Sequence, residues 1–245
     1  MNEVITLMKS HSSVRNFTTE PVEDSLVAEL VQAGQHASTS NHIQAYTIIR
    51  VRDHKQKEIL AHLCGNQDYV KNCPVFLVFC ADLHRLKKAC SMNQENMNTE
   101  SSETFLISTV DTALVAQNIM VAAESSGLGG VYIGGIRNNP TQVCDLLKIP
   151  QHVYPVFGMC LGYPAKRNAV KPRLPLPLVL KEEFYTTEGD EASLLEYDHV
   201  ISEYYRERTA GKRSTTWTQG ITSMMKTKLR PHMKTFLASK GFDID

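Results

Sequence analysis

The chain has 245 residues, 42% of them hydrophobic, which is enough apolar material for a folded core and excludes wholesale disorder. Its 26 Lys and Arg balance its 26 Asp and Glu, so no overall positive field favours nucleic acid or an anionic membrane. The six cysteines form no C-x-x-C pair and have no histidine at zinc-like spacing. We therefore expect reduced thiols, no metal site and a cytoplasmic protein, and the first nine residues are too polar for a signal peptide.

The first third of the chain alternates short helices and strands. Helical spacing of apolar residues, β-branched runs and proline positions predict each element. They predict a first helix that Asn2 can cap and that stops at Ser10, helices over residues 21–37 and 56–63, and strands over 46–51 and 75–80. The second strand is continuously apolar, so we expect it to be buried on both faces.

The middle of the chain contains the longest apolar segment. Residues 91–103 are polar and predict an exposed excursion. Residues 104–126 are apolar almost all round and end at Gly127, so they predict a helix that is covered on every side rather than a membrane span. Strands over 130–134 and 156–161 enclose a helix that starts at Pro140. Prolines follow residue 164, and from about residue 182 the chain is polar and helical.

Two basic segments suit a phosphate. In His11-Ser12-Ser13-Val14-Arg15, hydroxyls, backbone N–H groups and cations occur together, and strand-like alternation points Ser13 and Arg15 the same way. In Lys171-Pro172-Arg173, the proline stiffens the backbone between two cations, which lowers the cost of ordering them. Each segment, taken alone, also fits an ordinary basic turn or loop.

Other motifs narrow the chemistry. The glycines within residues 129–135 match neither the G-x-G-x-x-G pattern nor the P-loop pattern. A Rossmann or P-loop nucleotide site is therefore disfavoured. The cations Arg206, Arg208, Lys212 and Arg213 suit a 2′-phosphate of NADPH or, alternatively, a solvated helix face. No H-E-x-x-H or G-x-S-x-G motif occurs. The sequence has donors for anions and no side-chain catalyst, so we expect a bound cofactor to supply the chemistry.

Seven segments in one order carry a family resemblance. They are HSSVRNF (11–17), ASTS (37–40) with Gln44, GNQ (65–67), GGVYIGGIRNN (129–139), FGMCLG (157–162), KPRLP (171–175), and Tyr204-Tyr205 through Trp217. Over essentially the whole chain, this set resembles the oxygen-insensitive NADPH nitroreductase and NADPH–FMN oxidoreductase family.

The resemblance implies an α+β fold of the nitroreductase type, with a central mixed, mainly antiparallel sheet flanked by helices. It implies one domain over 1–245, with a core to about residue 175. The remainder, 176–245, would be a C-terminal extension that contains an NADPH-binding loop and wraps the partner subunit of a homodimer. The two active sites would lie at the subunit interface, with the long helix in that interface.

The resemblance also implies FMN contacts. The phosphate would be bound by His11, Ser12, Ser13, Lys171 and Arg173, and Arg15 would face the N1/C2-carbonyl edge of the flavin ring. The family commonly has arginine where this chain has Ser12, so Lys171 and Arg173 must contribute more of the positive charge.

Further contacts to the ribityl chain and the ring would come from two polar segments and one strand end. They are Thr39, Ser40, Asn41, Gln67, Asp68, Tyr69, Tyr132, Ile133, Gly134 and Gly135. The hydride donor NADPH, or NADH as a second possibility, would be bound by Arg208, Lys212 and Arg213.

The function that follows is two-electron, ping-pong reduction of nitroaromatics, quinones, azo compounds or free flavin by NAD(P)H. One alternative is a dedicated NADPH–FMN reductase that supplies reduced flavin, and a second is a non-catalytic flavin-binding protein. A nucleic-acid or anion-binding module is disfavoured by the neutral net charge and the lack of aromatic stacking motifs.

Overall fold

The computed structural model describes residues 2–98 and 101–242. The chain forms two compact units, Met1–Asn168 with His232–Asp245 as the first, and Ala169–Pro231 as the second. The single domain with a boundary near residue 175 stays a prediction.

The first unit contains a four-stranded sheet with the order β1-β2-β4-β3. The strands are β1 (Tyr46–Val51), β2 (Val75–Asp82), β3 (Gly129–Ile133) and β4 (Val153–Gly162). Each pair of neighbouring strands is antiparallel, with Tyr46 opposite Ala81, Val75 opposite Leu161, and Gly129 opposite Gly162. The predicted α+β fold with a mainly antiparallel sheet is therefore confirmed.

Helices of the first unit surround this sheet. They are α1 (Glu3–Lys9), α2 (Asp24–Gln35), α3 (His54–Leu63), α4 (Asp68–Asn72), α5 (His84–Met92), α6 (Ser102–Ser125) and α7 (Pro140–Leu147). Two short 3₁₀ turns, Ser40–His42 and Gly134–Arg137, follow α2 and β3 respectively. The second unit contributes α8 (Leu176–Val179), α9 (Asp190–Arg208) and α10 (Trp217–Met225), and α11 (Met233–Ser239) belongs to the first unit again.

Two helix starts differ from the predictions, and a side-chain cap decides one of them. The second helix begins at Asp24 rather than Pro21. The long helix begins at Ser102 because the Ser101 side chain accepts a hydrogen bond from the Glu103 N–H and caps it. The predicted exposed excursion over 91–103 is thereby shortened at both ends, since α5 extends to Met92. Its residues Thr99 and Glu100 lie outside the described part of the chain.

Strand β2 separates two apolar clusters, as alternation along a strand requires. Phe76 and Val78 pack with Leu60 on one face of the sheet. Leu77 and Phe79 pack with α6 on the other face. All eight residues of β2 are buried, so the predicted strand with two covered faces is confirmed.

Helix α6 is covered on one side only. It packs closely on α2, where a Cβ on Gly34 would lie 2.5 Å from Ile119 Cγ1. Its opposite side leaves Leu106, Val110 and Leu114 at 53%, 53% and 44% exposure. Among the described helices it is long and apolar enough to cross a membrane by length and composition. The expectation that it is covered on every side is therefore wrong within one chain.

Candidate active site

Segment 11–15 lies against the start of β3. The Val14 side chain is fully buried, and its N–H donates to the Gly130 carbonyl at 2.9 Å. A Cβ on Gly129 would lie 2.6 Å from Val14 Cγ2, so only glycine permits this approach. The Asn168 amide donates to the Ser13 carbonyl at 3.1 Å. These contacts direct Val14 inward and leave Arg15 exposed, as the predicted alternation requires.

The start of this segment offers polar groups that the protein does not fully use. His11 Nδ1 lies 2.6 Å from Glu124 Oε1, and Glu124 is a buried carboxylate near the end of α6. Ser12 and Ser13 are half-buried. Within residues 2–98 and 101–242, their hydroxyl groups have no hydrogen-bond partner. A ligand at this position would therefore find two free hydroxyls and an imidazole ring that Glu124 orients.

A chain of contacts joins Arg15 to the end of β3. The Arg15 guanidinium lies 5.8 Å from the centre of the Tyr69 ring. The Tyr69 hydroxyl donates to Gln67 Oε1 at 2.6 Å, and Gln67 Nε2 donates to the Cys64 carbonyl at 2.8 Å. A Cβ on Gly135 would lie 2.4 Å from that same carbonyl oxygen. Four predicted site residues from three distant segments are therefore brought together.

The neighbouring predicted residues have distinct surroundings. The Ile133 side chain is buried, whereas a Cβ on Gly134 would meet only Arg137 Nη2, at 3.6 Å. The half-buried Tyr132 donates to Gln117 Oε1 at 3.2 Å, and burial raises the pKa of its phenol. Asp68 is exposed at the first position of α4. At the end of β3, a ligand would therefore contact backbone N–H and C=O groups rather than side chains.

The loop that contains Thr39, Ser40 and Asn41 is held by a different carboxylate of α6. Asp111, only 1% exposed, accepts hydrogen bonds from the backbone N–H groups of Ser40 and Ala45, each at 3.1 Å. Asn41 has a φ of 46°, a left-handed conformation that asparagine tolerates better than most residues. The side-chain polar groups of Thr39, Ser40 and Asn41 have no partner within the described chain. The loop is therefore rigidly anchored and its donors are free.

The two anchored segments are far apart in one chain. Asp111 and Glu124 are thirteen residues apart on α6, and a helical rise of 1.5 Å per residue separates them by roughly 20 Å. Segment 11–15 and the loop at residues 39–41 therefore contact opposite halves of α6.

In the second unit, two tyrosines organise the predicted cations. Lys171 Nζ and Arg213 Cζ lie 5.3 Å and 3.9 Å from the centre of the Tyr205 ring. A hydrogen bond from Lys171 lowers the pKa of the Tyr205 phenol. Arg208 Nη1 donates to the Tyr204 hydroxyl at 2.9 Å.

The other two predicted site cations of this unit, Arg173 and Lys212, have fewer contacts. Arg173 donates to the Lys171 carbonyl at 2.9 Å, and Lys212 is exposed. Lys171, predicted to bind the FMN phosphate, and Arg213, predicted to bind NADPH, thus share one aromatic ring.

Comparison with known proteins decides the family. A model of the nitroreductase family matches residues 8–163, and a model of the C-terminal domain of the same family matches residues 171–245. The chain belongs to the nitroreductase family. This result confirms the resemblance on which the site prediction rests.

Members of the nitroreductase family match this chain over its whole length. An FMN reductase (NADPH) from Bacillus subtilis is 43% identical, and the match covers 99% of each chain. An oxygen-insensitive NADPH nitroreductase from Salmonella typhimurium is 42% identical, again over 99% of each chain.

Solved structures agree with this relationship. The structure of NfrA1 from B. megaterium superposes with a TM-score of 0.96 at 44% identity, covering 99% of this chain and all of the other. An NADPH:FMN oxidoreductase from Vibrio harveyi, complexed with NAD⁺, gives a TM-score of 0.90 at 39% identity, covering 98% of this chain and 99% of the other.

Three organising residues of this nitroreductase were missed by sequence reasoning. Glu124 and Asp111 position segment 11–15 and the loop at residues 39–41, and Tyr205 holds two cations. A charged residue inside an apolar helix was a usable signal for both carboxylates, because a buried charge needs partners. The adjacent pair Tyr204-Tyr205, followed by arginine four residues after Tyr204, was the signal in the second unit.

The close approach of Gly135 to the Cys64 carbonyl generates a stability prediction. Gly135→Ala should lower the free energy of unfolding by about 1–3 kcal/mol, because the new Cβ overlaps backbone that cannot rotate away. Gly134→Ala is the matched control, and it should stay within about 1 kcal/mol of the unchanged protein. Urea unfolding measures both, and equal stabilities of the two variants would contradict the assigned contact.

Proposed function

We propose that this chain is an FMN-dependent oxidoreductase that uses NADPH, or NADH, to reduce small acceptors by two electrons in a ping-pong cycle. The acceptors are nitroaromatics, quinones, azo compounds or free flavin. The observation that carries the proposal is the contact chain Arg15–Tyr69–Gln67–Gly135 beside the free hydroxyls of segment 11–15. Relatives named as FMN reductase and as NADPH nitroreductase support it.

The residues present fit FMN by the chemistry of their donors. A phosphate needs several donors at once, and His11, Ser12 and Ser13 of the first unit offer them. From the family resemblance we further propose that Lys171 and Arg173 of the second unit supply the positive charge. The polar flavin ring needs donors and acceptors along its edge, and Gln67 and the backbone of residues 133–135 supply these, while Asp68 and Tyr69 border them. When bound, FMN supplies the chemistry by taking a hydride from NADPH and passing two electrons to the acceptor.

Arg15 supplies positive charge to this site. Its side chain is exposed and is placed by the buried Val14 and by the ring of Tyr69, and it makes no ion pair within the described chain. A reduced flavin is more negative than an oxidised one. A fixed cation nearby therefore favours reduction.

The cation cluster of the second unit supports NADPH as donor. Arg208 and Arg213 present guanidinium groups, which suit a phosphomonoester, and Lys212 adds a third charge. Tyr204 and Tyr205 restrain the two arginines, which lowers the cost of ordering them on binding.

We also propose a homodimer in which each active site takes residues from both subunits. Leu106, Val110 and Leu114 form an exposed apolar stripe on α6, and such stripes on soluble domains mark interfaces. In one chain, the loop at residues 39–41 lies roughly 20 Å along α6 from segment 11–15. A second copy packed on α6 would supply its own loop to the first copy's segment 11–15.

We propose a cytoplasmic location as well. All six cysteines are free, and five of them are buried. Free thiols in this number are typical of a reducing compartment.

Anaerobic reduction of the purified protein tests the function. The protein should purify with a flavin absorbance band, and stoichiometric NADPH should bleach it without oxygen. Steady-state rates with free FMN and with a nitroarene then identify the preferred acceptor. A band that persists after addition of NADPH and NADH would show a flavin-binding protein without this activity.

Arg15→Gln should slow flavin bleaching by roughly tenfold or more, because the cation near the ring is lost while a polar side chain remains. Stopped-flow absorbance in single turnover measures this rate, and the FMN content of the variant should stay close to stoichiometric. Lys9→Gln, a change of an exposed cation on α1, is the control and should leave the rate unchanged. Wild-type bleaching by the Arg15 variant would remove Arg15 from this role.

Tyr205→Leu should raise the KM for NADPH about twofold to fivefold, because the ring that holds Lys171 and Arg213 is lost. Tyr205→Phe keeps the ring and should stay near the unchanged value, and the KM for NADH should change less in both variants. Initial-rate kinetics with both donors measure this. Equal KM values for the leucine and phenylalanine variants would rule out the aromatic restraint.

Val110→Lys should shift the protein from dimer towards monomer, because it places a charge in the centre of the apolar stripe of α6. Sedimentation velocity measures the change, and FMN should be lost along with the dimer. Ile59→Lys, at an exposed apolar position of α3, is the matched control and should remain dimeric. An unchanged dimer in the Val110 variant would place the interface elsewhere.

A further inference from the structure

A groove of about 750 Å³ lies in the first unit, outside all residues assigned to the flavin and to NADPH. It lies at the end of β1, beside α3 and the end of α4, and is bordered by residues 17–22. We call it the cationic groove because four basic side chains line it, namely Arg50, Arg52, Lys57 and Lys71. Glu20 is the carboxylate in its lining.

Lys57 is the decisive residue of the cationic groove. It is only 9% exposed, and its Nζ donates to the Cys73 carbonyl at 2.8 Å. An ammonium group has three N–H donors, and the part of the chain that the structure describes offers Lys57 no other acceptor. No carboxylate of that part lies within ion-pair distance of it. Lysine is rarely buried without an opposite charge, so this site is electrostatically incomplete.

The two arginines add charge that remains available. Arg50 and Arg52 lie two residues apart at the end of β1 and share one exposed carboxylate, Asp24, at 2.8 Å and 2.9 Å. Each guanidinium has five N–H donors, so one contact to Asp24 leaves most of them free. Exposed ion pairs of this kind are weak, and so is the pair of Lys71 with Glu58. An incoming anion can therefore bind both arginines without displacing a strong partner.

We propose that the cationic groove binds the phosphoryl group of a small molecule. Guanidinium groups bind tetrahedral oxyanions through paired N–H donors, and a buried ammonium adds a point charge. The groove is much larger than a bare phosphate ion, and its size is typical of small-molecule sites. Phe17, Pro21 and Pro74 line the groove as well, so an apolar group attached to the phosphate has a surface to contact.

This proposal is independent of the flavin chemistry. None of the groove residues belongs to the contact chain from Arg15 to Gly135, and the ligand would bind to the FMN-loaded protein. The groove nevertheless adjoins that chain, because Lys71 shares α4 with Tyr69 and Phe17 follows Arg15 by two residues.

Calorimetric titration of the FMN-loaded protein tests the proposal, with inorganic phosphate and phenyl phosphate as probes and sodium chloride holding the ionic strength constant. Both probes should bind saturably. Tighter binding of phenyl phosphate assigns the groove to phosphomonoesters, and tighter binding of inorganic phosphate assigns it to the free ion.

The Lys57→Met variant distinguishes phosphate binding in the cationic groove from phosphate binding elsewhere on the protein. It should weaken one binding component at least tenfold, whereas Lys55→Met should not, because Lys55 is an exposed lysine of α3 outside the groove. Arg50→Gln and Arg52→Gln should each weaken the same component at least threefold, because each removes one guanidinium of the groove while a polar side chain remains.

The arginine variants decide the matter if the Lys57 variant does not fold. Absence of saturable binding in the unchanged protein would overturn the proposal. So would phosphate affinities in a folded Lys57→Met protein, or in both arginine variants, that equal the affinity of Lys55→Met.

Discussion

A carboxylate that is buried in an apolar helix must be satisfied by hydrogen bonds, and α6 has two of them. Asp111 accepts from two backbone N–H groups of the loop that follows α2, and Glu124 contacts His11 at the start of the site segment. Removing the Asp111 carboxylate would leave the N–H group of the buried Ala45 without its partner, which costs about 1–3 kcal/mol. Removing the Glu124 carboxylate would remove the contact that orients the half-buried His11 ring. The positions of both polar segments therefore depend on α6.

The same helix has an apolar side that one chain leaves exposed. Within one chain, the buried carboxylates of α6 have hydrogen-bond partners. The apolar side chains on its opposite side remain exposed to solvent. Packing of a second copy would cover these apolar side chains as well. The residues that anchor the site and the residues that form the proposed interface are thus interleaved on α6, with Val110 next to Asp111.

The part of the site at β3 depends on two glycines, because the absence of a side chain lets other residues approach closely. Gly135 and Gly129 allow the backbone of Cys64 and the side chain of Val14 to approach the two ends of β3. Any larger residue would separate Gln67 and Arg15 from the strand. The sheet itself is rigid, because β2 is buried on both faces and paired on both edges. A rigid strand end gives the site a fixed geometry, to which the exposed Arg15 beside the Tyr69 ring adds charge.

Much of the site followed from local pattern and family resemblance. Strand β2 was predictable from its unbroken apolar run, and alternation predicted that Ser13 and Arg15 point the same way. The helix starts at Asp24 and Ser102 were less predictable, because proline position and composition give only an approximate start, and a local cap, Ser101, decides the second of them. The pairing of Arg15 with Tyr69, and of Gly135 with Cys64, could not be derived from pattern, because the partners are more than fifty residues apart in the chain.

By itself, the sequence determined which residue types this protein has for binding an anionic cofactor, and in which order they occur, because donors, cations and glycines have local signatures. Only the tertiary structure decided which of them meet. In the tertiary structure, Thr39, Ser40 and Asn41 lie away from segment 11–15. The Tyr205 ring contacts two cations, Lys171 and Arg213. Among the residues that the structure describes, no carboxylate pairs with the buried Lys57. Proximity and burial depend on how distant segments pack, and no local pattern encodes that packing.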